Sequence, residues 1–275
     1  MPATTESLKP KRRGRLRLAA GRAYYVTRRA LWWGLTPHKL ARPRPGLRTG
    51  ELVFAHETPI YRKLRDVDME LQRGKAVNLR IAAPHLDGLV LLPGETLSYW
   101  RAIGRPTAQK GYQNGMVLHS GSFSAGIGGG LCQLSNLLYW MTLHTPLTVV
   151  ERYRHSFDVF PDSNRTQPFA SGATCVWNYR DLILRNDTPE PYRLRVAVGD
   201  TMLRGEWRSA HPPLWRYEVY ERARRRDLEY WGGYSRHNEL WRRKYDATTG
   251  ELLDDEFVTE NHALMMYSPL LAEQV

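Results

Sequence analysis

Between residues 131 and 143, Leu134, Leu137, Leu138 and Met141 recur every three or four positions, and Pro146 closes the run. That spacing predicts one apolar helix of about a dozen residues. Its flanks are unlike it. "GYQNGMVLHSGSFSAGIGGG" (111–130) is broken repeatedly by glycine, and "LTVVERYRHSFDVF" (147–160) opens with alternating, β-branched residues that predict a strand. A single central helix between extended segments calls for an α+β fold, with a mainly antiparallel sheet packed against that helix.

The rest of the chain fits the same plan. Residues 56–88 predict a polar helix around 61–73 and further helix to Ala83, and "LVLLPGETLSYW" (89–100) predicts two strands joined by a Pro-Gly turn. "ATCVWNYRDLILRND" (173–187) predicts two strands turning near Asn178, after a loop over 160–172. Hairpins are expected at Gly199-Asp200 and near Thr249-Gly250. At 275 residues the chain can bury a real core. The expected division is an N-terminal arm over 1–50, a main domain over 51–210, and a charged, aromatic extension with a hairpin region over 211–275.

The formal charge of +12 is unevenly placed. Residues 1–50 hold 13 Lys and Arg against the single acid Glu6, which leaves 27 basic and 27 acidic groups in the remaining 225 residues. A neutral body argues against nucleic acid as a partner. Within the arm, Lys11, Arg15, Arg22 and Arg29 share one side of a helix, and Leu16, Ala19, Ala23, Val26, Ala30 and Trp33 share another. Two fates are open for that apolar stripe over residues 11–33: an anionic membrane surface or the protein's own body. No run is long enough to span a bilayer, and no uninterrupted apolar centre of a secretory signal occurs. The expected location is therefore cytoplasmic, or peripheral on the cytoplasmic face of the membrane.

Two cysteines, Cys132 and Cys175, do not make a disulfide framework, and free thiols in a reducing compartment are the simpler expectation. Cys175 reads as core. The nine histidines are scattered without metal-ligand spacing, and the glycine-rich stretch lacks the Lys-Ser/Thr of a phosphate loop, so neither metal nor cofactor is expected.

Cys132 differs in its setting. Gly128, Gly129 and Gly130 precede it, and the helix begins at about Leu131. A thiol in a first helical turn meets unpaired N–H groups and the positive end of the dipole, which predicts a lowered pKa. The glycine N–H groups are candidates for an oxyanion-binding concavity. His155, expected on the next strand, is the candidate base. Asp158, Asn178 and Asp181 are candidates to orient its imidazole, and Asp181 is favoured because its strand should lie beside that of His155.

Three stretches, "LPGETLSYWRAIG", "GGGLCQLSNLLYWMTLHTPLTVVERYRH" and "RDLILRND", closely resemble the VanW family over about Val77 to Trp207. The resemblance implies a place in glycopeptide-resistance and cell-wall metabolism. It also implies L,D-transpeptidase-like chemistry, with Cys132 attacking a peptidoglycan stem peptide and His155 as base. Gln133 and Ser135 would line the pocket, and Arg152 would hold a substrate carboxylate. The alternative is a non-catalytic module that binds peptidoglycan precursor or glycopeptide. At Gly172 this chain departs from the family, which often has aspartate there, so no role transfers to that position.

Overall fold

The computed structural model describes residues 14–61, 69–119, 122–159 and 167–267. Its elements run α1 (Arg15–Leu35), β1 (Arg42–Pro43), β2 (Glu51–Pro59), α2 (Met69–Ala82), β3 (Leu89–Leu91), β4 (Thr96–Ser98) and α3 (Tyr99–Ile103). Then come β5 (Asn114–His119), β6 (Ser122–Ile127), α4 (Cys132–Leu143), β7 (Thr148–Glu151), β8 (Phe157–Asp158) and β9 (Ile183–Arg185). The chain continues through β10 (Tyr192–Val198), β11 (Met202–Ser209), β12 (Trp215–Leu228), β13 (Tyr234–Asp246) and β14 (Leu252–Met265). The fold is α+β. Strands pair antiparallel throughout except at the parallel contact of β14 with β8.

A sheet in the order β1-β3-β10-β11-β2 receives α4 on one face. Leu137 and Met141 of the helix lie over Gly205, where a side chain on the strand would collide with both. Leu134, Leu137, Leu138, Tyr139, Trp140, Met141 and Leu143 are all buried. Each fully buried leucine contributes about 2 kcal/mol of transfer free energy, so the helix is held by packing rather than by propensity. A second sheet, β12-β13-β14-β8, covers the C-terminal end of α4, where Arg242 donates to the carbonyls of Leu143 and Thr145. Its outer edge is β12, whose Arg222, Arg224, Arg225 and Arg226 are solvent-facing beside a break in register at Arg222/Arg225.

The remaining strands form β4-β9-β7 and the β5-β6 hairpin. The Pro-Gly turn between β3 and β4 sends its two strands into different sheets. The strand expected over 147–160 is interrupted at Arg152–Ser156, because the Arg152 side chain turns inward to main-chain carbonyls. The helix expected around 61–73 is seen from Met69 onward; residues 62–68, most of the loop expected over 160–172, and Lys11 lie outside the described residues.

α1 meets the body only near its end. Val26, Arg29 and Trp33 are half-buried, Arg29 pairs with Glu151 at 2.5 Å, and Trp33 Nε1 donates to Ser98 Oγ at 2.9 Å. Leu16, by contrast, is 88% exposed. The expected apolar stripe therefore packs on the body over its second half alone.

The link from β6 to α4 is a backbone-on-backbone contact. A Cβ on Gly129 would overlap the main chain of Gly115, and a Cβ on Gly115 would overlap Gly129 in turn. Asn78 clamps the pair, donating to the carbonyls of Gln113 and Gly129 at 3.0 and 2.9 Å. Gly129→Ala should cost about 3 kcal/mol, a lower urea midpoint at unchanged m-value, because neither backbone can retreat without breaking that clamp.

Candidate functional site

The glycine run is a packed turn. Gly128 and Gly130 take φ values of 75° and 86°, which side-chain-bearing residues rarely adopt. The Gly128 N–H donates to Gln113 O and the Gly129 N–H to Gly126 O, both at 3.0 Å, so these two groups are spent on main chain instead of facing a ligand. Gly130 lies against the Lys75 side chain, and Tyr99 OH donates to Leu131 O at 2.9 Å. The turn's work is to fix where α4 begins.

Cys132 is the first residue of α4, as its spacing predicts, and it is half-buried with a free thiol. Its Sγ faces the Cys175 carbonyl at 3.7 Å. Burial pushes the thiol pKa up, although the main-chain amides of Cys175 and of Cys132 itself favour the thiolate. The expected lowering is thus reversed. Desolvation exceeds what two amides and one helical turn supply, and the resting thiol is neutral. Cys175 is buried in the core.

His155 follows β7 in an irregular segment and does not sit on the strand. Burial, with Arg180 adding to it, pushes its imidazole down to about 4, leaving the ring neutral at pH 7. No hydrogen bond joins it to Cys132 among the described residues. The two are nevertheless tied to one short segment. The Thr174 N–H donates to Tyr153 O at 2.7 Å, two residues before the histidine, and Cys132 Sγ faces Cys175.

Asp181 stands just before β9, and β9 pairs with β7 as expected. Its carboxylate, however, is engaged elsewhere. Ser98 Oγ donates to Oδ2 at 2.5 Å, the Trp100 and Leu182 N–H groups donate to Oδ1 at 3.0 and 2.9 Å, and Arg29 lies 3.7 Å away. Asp181 knits α1, β4 and α3 together and makes no bond to His155. Asp158 is held by Tyr267 OH at 2.8 Å. Asn178 is buried with its Oδ1 unpartnered.

The residues assigned by resemblance are also engaged. Gln133 Nε2 donates to Thr58 Oγ1 and Pro59 O at 3.0 and 2.9 Å, which pins the end of β2 to the first turn of α4. Ser135 is fully buried and donates to Ala173 O at 2.7 Å and Cys132 O at 3.1 Å. Arg152 donates to Gly172 O at 2.9 Å, Asn261 Oδ1 at 3.0 Å and Ala170 O, and its guanidinium covers the Tyr139 ring. With Nε, Nη1 and Nη2 each donating once to protein oxygens, Arg152 braces the 170–172 loop. Asn136, unmarked in the sequence reading, occupies the space a side chain at Gly172 would need and accepts the Ala173 N–H at 2.8 Å.

Among the described residues, no cluster of three His, Cys, Asp or Glu side chains is arranged to hold a metal, and no helix is long and apolar enough to cross a membrane. What the fold and site define is an α+β domain built around a buried helix headed by a cysteine. The sequence model of a family described as "VanW like protein" matches residues 74–208. The chain is also 32% identical over 216 residues to the Vancomycin B-type resistance protein VanW of Enterococcus faecalis, covering 78% of each chain. It is 30% identical over 132 residues to the uncharacterized protein YoaR of Bacillus subtilis, spanning 48% of this chain and 42% of that one. The chain belongs to the VanW family. No solved structure matches it significantly.

Burial raises the Asp181 carboxyl to about 6, against the pull of Ser98, Trp100 and Arg29. A carboxyl whose folded pKa exceeds its unfolded value binds more protons when folded, so stability falls as pH rises from about 4 to 6, by on the order of 3 kcal/mol. Urea titrations across that window should show the falling segment in the wild type and its loss in Asp181→Asn.

Proposed function

We propose that the protein serves glycopeptide resistance through cell-wall chemistry, with Cys132 as the nucleophile toward the acyl carbon of a peptidoglycan stem peptide. The similarity to a vancomycin-resistance protein supports the context. The observation that carries the chemistry is the 173–175 segment. It presents the Cys175 carbonyl to Cys132 Sγ at 3.7 Å, and its neighbouring Thr174 N–H holds the chain that bears His155.

In this reading the thiol and imidazole rest uncharged. As the donor carbonyl arrives, the thiol proton passes to the neutral imidazole and sulfur attacks the carbonyl carbon. The tetrahedral oxyanion collapses, the scissile C–N bond breaks, and the leaving amine takes the proton from the imidazolium. An acceptor amine or water then attacks the thioester and restores the thiol.

Incubation with a tetrapeptide-stem muropeptide should add the acyl mass to Cys132, and Cys132→Ala should abolish the adduct. The neutral thiol and the missing Cys132–His155 hydrogen bond favour a second reading, a module that binds precursor without turnover. Muropeptide binding retained in Cys132→Ala, with no adduct in the wild type, would select it.

We further propose that α1 lies on an anionic membrane surface. Leu16, Tyr24, Leu31 and Leu35 are exposed and fall on one side of the helix, away from Val26 and Trp33. The helix carries five arginines and no acid. Apolar residues backed by cationic charge match anionic lipid. The full chain should sediment with phosphatidylglycerol vesicles but not with phosphatidylcholine ones. Tyr24→Glu combined with Leu31→Glu should lower that binding about tenfold or more.

A further inference from the structure

A cleft of about 290 Å³ opens where the C-terminal sheet meets the main domain, lined by Tyr139, Val149, Arg152, Arg154, Val258, Thr259 and Glu260. Its two arginines have different fates. Arg152 has three of its five donors committed, to the carbonyls of residues 170 and 172 and to Asn261. Arg154 is half-buried and makes no hydrogen bond or ion pair among the described residues. Its five N–H donors have left much of their water without gaining acceptors, an arrangement that folding alone does not favour. Burial, then the charge of Arg152, lowers it to about 10 against the pull of Glu260, so it remains a cation at neutral pH.

We propose that Arg154 anchors the carboxylate of a small peptide ligand in this cleft. Glu260, the acid in the same cleft, is engaged with His262 Nε2 at 2.9 Å and makes no ion pair with Arg154, although its charge acts on that guanidinium. Val149 and Val258 supply apolar wall beside the one uncommitted guanidinium. That pairing suits a terminal carboxylate next to a short aliphatic side chain. A phosphate would set its second charge and extra acceptors against valines and Glu260. The cleft borders α4 at Tyr139 and the 170–172 loop that leads to Cys175.

This assignment deepens the proposed function by naming a substrate contact, and it moves the carboxylate anchor from Arg152 to Arg154. Its test is independent of Cys132. Calorimetric titration of the full chain with N-acetyl-alanyl-alanine, in L,L and D,D forms, should detect binding of the free acid. Binding of the C-terminal amide should be at least about tenfold weaker. Arg154→Gln should weaken the acid about tenfold and leave the amide unchanged, and Arg154→Lys should fall between. Equal binding of acid and amide, an Arg154→Gln variant that binds undiminished, or inorganic phosphate binding more tightly than the acid would each overturn the assignment. The comparison of acid with amide in the wild type holds even if Arg154→Gln does not fold. Normal acid binding without any Cys132 adduct would remove the catalytic reading while leaving this one standing.

Discussion

Removal of water from around α4 governs the chemistry of its surroundings. The helix is buried along most of its length between one sheet and the edge of another, and Cys132 at its start is half-buried. Charged forms suffer most from such desolvation. The Cys132 thiol is raised, the His155 imidazole is lowered to about 4, and the Asp181 carboxyl is raised to about 6, each with burial as the leading cause. All three side chains are pushed toward their uncharged states by the same loss of water. The guanidinium of Arg154 keeps its charge because even a lowered arginine stays protonated near neutrality.

That shared desolvation explains why a helix-start cysteine here does not rest as a thiolate. A helix terminus and two directed amides offer modest stabilisation, of about 1 kcal/mol at the terminus. They are outweighed by desolvation at the head of α4. The close packing that positions the sulfur also removes its solvent. A reaction at such a site starts from neutral partners and generates charge only as bonds change, which places the burden on groups aimed at the developing oxyanion.

The elements legible in the sequence were those with local signals. The periodicity of 134, 137, 138 and 141 locates α4, and turn residues locate the β10–β11 and β13–β14 hairpins. β2 went unread because its partner β11 lies about 150 positions away, and its burial alternates irregularly near the bulge at Trp207/Arg208. β12 hid in a run of arginines that looks solvated in isolation. At the site, spacing identified Cys132 and its helix. It carried no trace of the carbonyls of 170 and 172 that capture Arg152, or of Ser98 and Trp100, which capture Asp181. Asn78 and Asn136 were missed for the same reason, since their partners are main-chain atoms from distant segments. A lone amide within an apolar helical stretch was the available clue at Asn78.

The outer edge of the C-terminal sheet has a consequence for the protein's life among its own copies. An uncovered strand of fourteen residues, Trp215–Leu228, is a template on which another chain can grow. Here that rim bristles with like-charged guanidinium groups, and the ladder is thrown out of step halfway along. A second molecule approaching edge to edge meets charged side chains and a kink along the strand where it would have to add its rungs.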